Sequence, residues 1–197
     1  LAPIHPHAFI KIIDSLPEKN IGRSFDFREL SLDDNKDGKG GASGQFMIRT
    51  DDRRFFIKTL TGNEKSVFMN MFHDYVEYIT RRKESLIVKI IGVFSFEFDQ
   101  VSQPVHLFVM ENVFRAQNPL LKRNYDIKGS SFNRRVEKSI DSQTDRSSII
   151  SKKTLKDQDF ENIDKFFILS AENRDFLLKT ITNDVQFLLS KKLMDYS

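Results

Sequence analysis

The sequence predicts an α+β fold in which an antiparallel sheet carries a packed helix. Three observations lead to this prediction: two apolar runs that flank a short polar turn, two longer apolar runs, and a helical repeat between the two pairs. The four strand-like runs span residues 45–50, 53–59, 86–98 and 104–114. Because only Asp51 and Asp52 separate the first two runs, we expect them to form an antiparallel hairpin.

Residues 63–82 are expected to form the helix between the two strand pairs, with Asn63 as its N-cap. Apolar side chains recur along this segment at helical spacing, which places them on one face. They are Val67, Phe68, Met71, Phe72, Tyr75, Val76 and Ile79. We expect Phe68, Phe72 and Tyr75 to pack this helix onto the sheet.

Weaker patterns complete the expected fold. A short helix is expected over residues 8–14, and alternating apolar residues predict a further strand over 25–30. A second amphipathic helix is expected over 171–190. Its apolar stripe consists of Phe176, Leu177, Ile181, Val185, Leu188 and Leu189. The polar segment 136–158 has few aromatic residues, so we expect an exposed insertion there.

The composition narrows the classes of function. The 197 residues include 31 Lys and Arg and 28 Asp and Glu, and a net charge of +3 is too small to indicate nucleic acid binding. The absence of cysteine excludes disulfides and thiolate metal sites. The most apolar segment, 86–98, contains Lys89 and Glu97 and is shorter than the roughly 20 residues of a membrane-spanning helix. Contact with a membrane is therefore expected to be peripheral.

A glycine-rich polar loop, residues 33–44, precedes the predicted hairpin and admits three interpretations. An EF-hand calcium loop is disfavoured, because Gly44 stands where a bidentate Glu is required. A P-loop is disfavoured as well, because Gly44 leads through Gln45 into a strand rather than into a helix. The third interpretation is a kinase-type loop that covers phosphates, since its glycines allow close backbone approach and Lys58 lies on the following strand.

Several sequence blocks, taken in order, resemble those of the phosphatidylinositol phosphate kinases. They are GGASGQFMIRTDDRRFFIKT at 40–59, HLFVMENVF at 106–114, YDIKGSSFNRR at 125–135, KTLKDQDF at 153–160 and LMDYS at 193–197. The resemblance implies a two-lobed lipid-kinase-like α+β fold, with an antiparallel sheet and a helix in the N-lobe and a truncated C-lobe. It divides the chain into an N-terminal extension (1–24), an N-lobe with glycine loop and hinge (25–114) and the beginning of a C-lobe (115–197) that ends in the catalytic loop.

The resemblance also implies an ATP site in the N-lobe. The residues that it assigns to ATP are Lys58, Gly41, Ser43, Gly44, Asn112 and Val113. Lys58 would hold the phosphates as a point charge, and the hinge would bind the adenine edge through backbone groups. In a protein kinase a helix glutamate pairs with the strand lysine, and here the sequence does not decide between Glu64 and Glu77.

Catalytic and lipid-binding roles follow from the same resemblance. Asp195 would accept or orient the attacking ring hydroxyl. Asp126 and Lys128 would lie on one side of an extended segment, so that Asp126 could orient Lys128 towards the γ-phosphate. Arg134, with Arg135 as the alternative, would recognise the phosphate of the lipid headgroup.

The implied reaction is ATP-dependent phosphorylation of the inositol ring of a phosphatidylinositol monophosphate. It uses Mg²⁺, whose main ligand is expected beyond residue 197, so no metal ligand is assigned and the chain alone is expected to be inactive. The expected partner is a phosphoinositide at the cytoplasmic face of a membrane. Nucleic acid is not an expected partner, and the protein could form a homodimer. The alternative function is a phosphoinositide-binding module without catalysis. A protein kinase is disfavoured by the missing HRD and DFG motifs.

Overall fold

The structure is a computed structural model that describes residues 5–25, 46–98, 101–114, 123–136, 154–163 and 169–193. The chain divides into two compact units, Leu1–Ala116 and Gln117–Ser197. Each unit is described by itself. Among the described residues, none of the helices combines the length and the apolar character that crossing a bilayer requires.

The first unit contains a four-stranded antiparallel sheet, as the sequence predicts. Its strands are β1 (Met47–Arg49), β2 (Phe55–Leu60), β3 (Ile90–Phe98) and β4 (Val101–Glu111), in the order β1-β2-β4-β3. Helix α1 (Pro6–Asp14) and a 3-10 helix (Gly22–Phe25) precede the sheet, and helix α2 (Gly62–Arg81) joins β2 to β3. The predicted strand over 25–30 begins at the last residue of the 3-10 helix, and its remaining residues lie outside the described ranges.

The turn of the β1–β2 hairpin is stabilised by polar side chains. The Thr50 hydroxyl donates to Asp52 Oδ1 at 2.7 Å, and the same carboxylate oxygen accepts the backbone N–H of Arg54 at 3.1 Å. The Thr50 oxygen also accepts the backbone N–H of Phe55 at 3.1 Å, at the first residue of β2. These bonds fix the turn, and with it the register in which β2 enters the sheet.

The N-cap of helix α2 lies two residues before the predicted one. The N-cap is Thr61 rather than Asn63, and its hydroxyl oxygen accepts the backbone N–H of Glu64 at 3.2 Å. In return, the Glu64 carboxylate accepts the backbone N–H of Thr61 at 2.8 Å. This reciprocal capping box satisfies two helix-terminal donors, whereas Asn63 capping alone would satisfy one.

The predicted packing of α2 is confirmed. Phe68, Phe72 and Tyr75 are buried, with at most 5% of each side chain exposed. The Tyr75 hydroxyl donates to the Val88 carbonyl at 2.8 Å and accepts the Ile90 backbone N–H at 2.7 Å, so it bridges α2 to the start of β3. Burial raises the pKa of Tyr75 above its ordinary value, which keeps the bridging hydroxyl protonated.

The second unit contains a parallel strand pair and two helices. Strand β5 (Asn124–Asp126) pairs with β6 (Thr154–Lys156), and β6 leads directly into α3 (Asp157–Ile163). The expected insertion over 136–158 extends too far at its carboxyl end, where Leu155 is buried. The pairing of Leu155 with Tyr125 holds a segment whose polar composition predicted exposure.

Helix α4 (Ala171–Ser190) has the bounds expected from the sequence. Its N-cap is Ser170, whose hydroxyl oxygen accepts the backbone N–H of Asn173 at 3.2 Å. The predicted apolar stripe is only partly covered, because Phe176, Ile181 and Leu189 are exposed. Helical periodicity located this helix correctly but did not reveal how much of its apolar face is buried within the chain.

Replacement of Tyr75 by Phe tests the bridge between α2 and β3. The change removes one hydroxyl and leaves the Val88 carbonyl and the Ile90 N–H without that partner in a buried region. We expect the free energy of unfolding to fall by about 1–3 kcal/mol, measured by urea denaturation. A loss below about 0.3 kcal/mol, within the range of neutral surface changes, would contradict this structural role.

Candidate functional site

Lys58, the residue assigned to the ATP phosphates, lies in the middle of β2. Its cross-strand partners are Met47 on β1 and Phe108 on β4. Because directly opposed residues of antiparallel strands share a face, Lys58 projects to the same face as Phe108. The Phe108 ring meets the Phe68 ring of α2 at a centroid distance of 4.7 Å. Lys58 therefore lies on the helix-bearing face of the sheet.

Neither of the two candidate glutamates pairs with Lys58. Glu64 is used in the capping box of α2, and the Glu77 carboxylate forms an i,i+4 ion pair with Arg81 at 2.6 Å. Within the described residues, no carboxylate oxygen lies within 4.0 Å of the Lys58 amine. The ammonium group of Lys58 is thus not neutralised by α2 in the way that a protein-kinase arrangement would require.

The opposite face of the sheet forms an apolar groove of about 500 Å³. Ile57, Leu107 and Val109 contribute to its floor. Ile57 is the neighbour of Lys58 on β2, so the two side chains project to opposite faces. This groove therefore cannot be the phosphate site that Lys58 serves.

The predicted hinge, within the block 106–114, covers the end of β4 and the tight, internally bonded turn that follows it. The Asn112 side-chain amide donates to the Arg53 carbonyl at 2.7 Å, and its side-chain oxygen accepts the Phe114 N–H at 3.0 Å. The Asn112 backbone N–H donates to the Arg54 carbonyl at 2.8 Å. Because its polar groups are engaged and its side chain is only 4% exposed, Asn112 supports the hinge rather than offering groups to a ligand.

Val113, by contrast, is presented outward by this turn. Its side chain is 66% exposed, and within the described residues its backbone N–H has no hydrogen-bond partner. A free backbone donor beside an apolar side chain is the combination that a planar heterocycle requires at a binding edge. Of the two predicted hinge residues, the structure leaves Val113 available for such a contact.

In the second unit, Arg134 lies in a network of carboxylates. Its Nε donates to Asp157 Oδ2 at 2.7 Å, and a terminal nitrogen lies 3.1 Å from Asp126 Oδ2. The same terminal nitrogen donates to the Asp126 carbonyl. Only 11% of the Arg134 side chain is exposed. Binding of a lipid phosphate by Arg134 would therefore require it to exchange one of these carboxylates, whereas the neighbouring Arg135 is exposed.

The charges of this network stabilise each other. Burial alone would raise the pKa of Asp157, but hydrogen bonds from Arg134 and from the backbone N–H groups of Asp157, Gly129 and Lys128 hold it far below its ordinary value. The hydrogen bond to Asp157 in turn raises the pKa of Arg134. Both groups are therefore charged at neutral pH.

The structure does not form the expected ion pair between Asp126 and Lys128. The Asp126 carboxylate contacts Arg134 instead. Directly after β5 the chain turns, with Gly129 at a positive φ of 69°, so the extended segment that would place Asp126 and Lys128 on one side ends at Asp126. The backbone N–H groups of Lys128 and Gly129 donate to Asp157. Asp157 lies in the block KTLKDQDF, and the sequence predicted no role for it.

Several predicted site residues fall outside the described ranges. They are Gly41, Ser43, Gly44 and Asp195. Within the described ranges, no group of three or more acidic or histidine side chains is arranged to hold a metal ion. The geometry therefore bears on Lys58, on the hinge and on the Arg134 network.

Comparisons with a family model and with individual proteins point to the same family. Residues 33–197 match the family model described as phosphatidylinositol-4-phosphate 5-kinase. Phosphatidylinositol 4-phosphate 5-kinase 3 of Arabidopsis thaliana is 32% identical over 80% of this chain, and phosphatidylinositol 5-phosphate 4-kinase type-2 gamma of Danio rerio is 26% identical over 91%. The human type-2 alpha 5-phosphate 4-kinase is 31% identical over 74%. The chain spans only 21%, 42% and 34% of the length of these relatives, respectively.

The supporting role of Asn112 can be tested by replacing it with Ala. The change leaves the Arg53 carbonyl and the Phe114 N–H without their side-chain partner in a partly buried turn, so we expect a loss of about 1–3 kcal/mol in the free energy of unfolding. Asn70→Ala, at an exposed position of α2, is the matched control and should change stability by less than about 0.5 kcal/mol. Equal effects of the two changes in urea denaturation would contradict the assignment.

Proposed function

The chain belongs to the phosphatidylinositol phosphate kinase family, and from this premise we propose that it contributes the ATP site of a lipid kinase. The proposed reaction transfers the γ-phosphoryl group of ATP to the inositol ring of a phosphatidylinositol monophosphate and gives a bisphosphate. The observation that carries the proposal is the placement of Lys58 on β2 and of Val113 in the turn that directly follows its partner strand, β4. The relatives act on a 4-phosphate or a 5-phosphate by name, so we assign no ring position.

The nucleotide would lie between the strand lysine and the hinge. Lys58 pairs with Phe108, and Val113 lies five residues further along the chain, in the turn after β4. At about 3.4 Å per extended residue, five residues reach at most about 17 Å, a distance that an elongated ligand can span. We propose that the Val113 backbone binds the adenine edge, that Lys58 holds the phosphates, and that Gly41, Ser43 and Gly44 cover them.

Lys58 suits this role chemically. Its amine has no carboxylate partner among the described residues, so its attraction for an anionic ligand is not offset by a fixed counter-charge. A lysine that holds phosphate oxygens stabilises the charge that develops during transfer. Neighbouring apolar side chains on the same face, including Phe108, reduce the local dielectric and strengthen this attraction.

The lipid and catalytic roles are assigned as proposals from the family blocks. Arg135 is exposed and is the more accessible of the two arginines, whereas Arg134 would first have to leave a carboxylate. We propose Asp195 as the residue that orients the attacking hydroxyl and Lys128 as a charge that faces the γ-phosphate. Bound Mg²⁺ supplies neutralisation of charge between the β- and γ-phosphates, and no residue of the described ranges is assigned as its ligand.

The setting of the reaction follows from its substrate. A phosphoinositide is held in a bilayer, so we propose that the protein acts as a peripheral enzyme at the cytoplasmic face of a membrane. The net charge of +3 permits a local basic surface without a strong field over the whole protein.

Lys58→Met tests the nucleotide site in the longest natural polypeptide that contains these residues. The variant removes the charge but keeps most of the side-chain length, so we expect kcat/KM for ATP to fall by about 100-fold or more with little change in thermal stability. Lys83→Met, at an exposed position after α2, is the control and should retain full turnover. Retained activity of Lys58→Met would place the phosphate-binding lysine elsewhere.

Asp195→Asn separates an enzyme from a binding module. The change preserves the shape but removes the proton-accepting carboxylate, so turnover should fall by about 100-fold or more. The affinities for ATP and for phosphoinositide vesicles should stay nearly constant, because the residue acts mainly in the transition state. If the unmutated polypeptide binds these vesicles but has no lipid kinase activity, the non-catalytic binding module replaces the kinase.

A further inference from the structure

We propose that Asp157 is a positioning residue that fixes the direction of Lys128, and this inference rests on the proposed role of Lys128 in phosphoryl transfer. Asp157 is the first residue of α3, and it contacts the loop that follows β5. Nothing in its sequence position marks it, because an acidic residue in the first turn of a helix is common. The geometry of its carboxylate carries the inference.

Both oxygens of the Asp157 carboxylate are used to hold the same loop. Oδ1 accepts the backbone N–H of Lys128 at 2.9 Å and that of Gly129 at 2.7 Å. Oδ2 accepts Nε of Arg134 at 2.7 Å. The carboxylate is therefore a three-way bridge between a helix terminus, two consecutive peptide groups and a guanidinium.

The bridge closes a ring of contacts around the loop. Arg134, which contacts Asp157, also lies 3.1 Å from the Asp126 carboxylate. Asp126 is two positions before Lys128, so the contacts enclose the loop. Gly129 takes a positive φ of 69°, a conformation that glycine adopts without the usual steric cost. The backbone on both sides of Lys128 is thus fixed, and the direction of its Cα–Cβ bond is fixed with it.

A second set of bonds holds the far side of the loop. The Gln158 backbone N–H donates to the Arg134 carbonyl at 3.0 Å, and its side-chain amide donates to the Ser131 carbonyl at 2.8 Å. The Asp157 side chain is only 12% exposed, which shields its ion pair with Arg134 from solvent. Charge-assisted bonds of this kind hold geometry more strongly than neutral ones.

The arrangement matters for catalysis because a lysine stabilises a transition state only when its amine is placed correctly. A displacement of about 1 Å can cost on the order of 100-fold in rate. Without Asp157, the two peptide groups at Lys128 and Gly129 lose their common acceptor and the loop can reorient. The loss should therefore appear in kcat, whereas the affinities for ATP and lipid should change little.

A double-mutant cycle in the longest natural polypeptide tests whether Asp157 acts through Lys128. Asp157→Asn should lower kcat by about 10- to 100-fold and change each KM by less than about threefold. When Lys128 is already Met, the same change should lower kcat by less than about threefold, because the group that it positions is gone. Additive losses would overturn the inference, and so would full turnover of Lys128→Met alone.

Asp159→Asn is the matched structural control. Asp159 is another buried carboxylate of α3, but it accepts the backbone N–H groups of Val136 at 2.9 Å and Lys156 at 3.1 Å, whereas those of Lys128 and Gly129 donate to Asp157. Its replacement should lower the stability of the unit without the coupling to Lys128. Coupling of equal size for both carboxylates would show a general packing effect and would overturn the specific role of Asp157.

Amide hydrogen exchange supplies a readout that does not depend on activity. In Asp157→Ala, which removes the acceptor oxygen, exchange at the Lys128 and Gly129 amides should accelerate by about tenfold or more, whereas Asp159→Ala should accelerate the Val136 and Lys156 amides instead. Unchanged exchange at Lys128 and Gly129 would overturn the inference even in an active enzyme. If the unmutated protein has no lipid kinase activity, the proposed function fails, and this measurement still decides whether Asp157 holds the loop.

Discussion

The register between β2 and β4 places Lys58 opposite Phe108, and the first unit depends on that pairing. A slip of one residue would turn Lys58 towards the apolar groove and would turn Ile57 towards α2, which is unfavourable for both side chains. The hairpin turn at Thr50 and Asp52 fixes one end of β2, and the Phe68–Phe108 contact fixes the face that the helix covers. The position of the lysine is therefore a consequence of packing that lies outside the glycine loop.

The two units use different means to fix their functional segments. In the first unit, the sheet and α2 supply buried apolar contacts, and polar bonds close the turns at its edges. In the second unit, a short parallel strand pair offers little core, and buried or half-buried carboxylates of α3 bind the backbone of the loop after β5. Charge-assisted bonds to backbone N–H groups provide order where few apolar side chains are available.

Arg134 and Asn112 show how a residue of the expected type can serve a supporting role. An arginine in a phosphate-binding family block suggests a ligand contact, yet its guanidinium is held by Asp126 and Asp157. An asparagine in a hinge block suggests a nucleotide contact, yet its amide closes the hinge turn through Arg53 and Phe114. In both cases the adjacent predicted residue, Arg135 or Val113, is the exposed one, so the local structure favours that member of each pair as the ligand contact.

The sequence by itself determined the α+β class, the four strand runs, both long helices and the family, because these depend on periodic apolar patterns and on ordered sequence blocks. It located Lys58 on a strand, but only strand pairing decided the face on which Lys58 lies. It did not identify Thr61 as the cap of α2, although the Thr61–Glu64 spacing carries that signal. The role of Asp157 was not accessible from sequence, because 28 positions separate it from Gly129 and only tertiary folding brings its carboxylate to that peptide group.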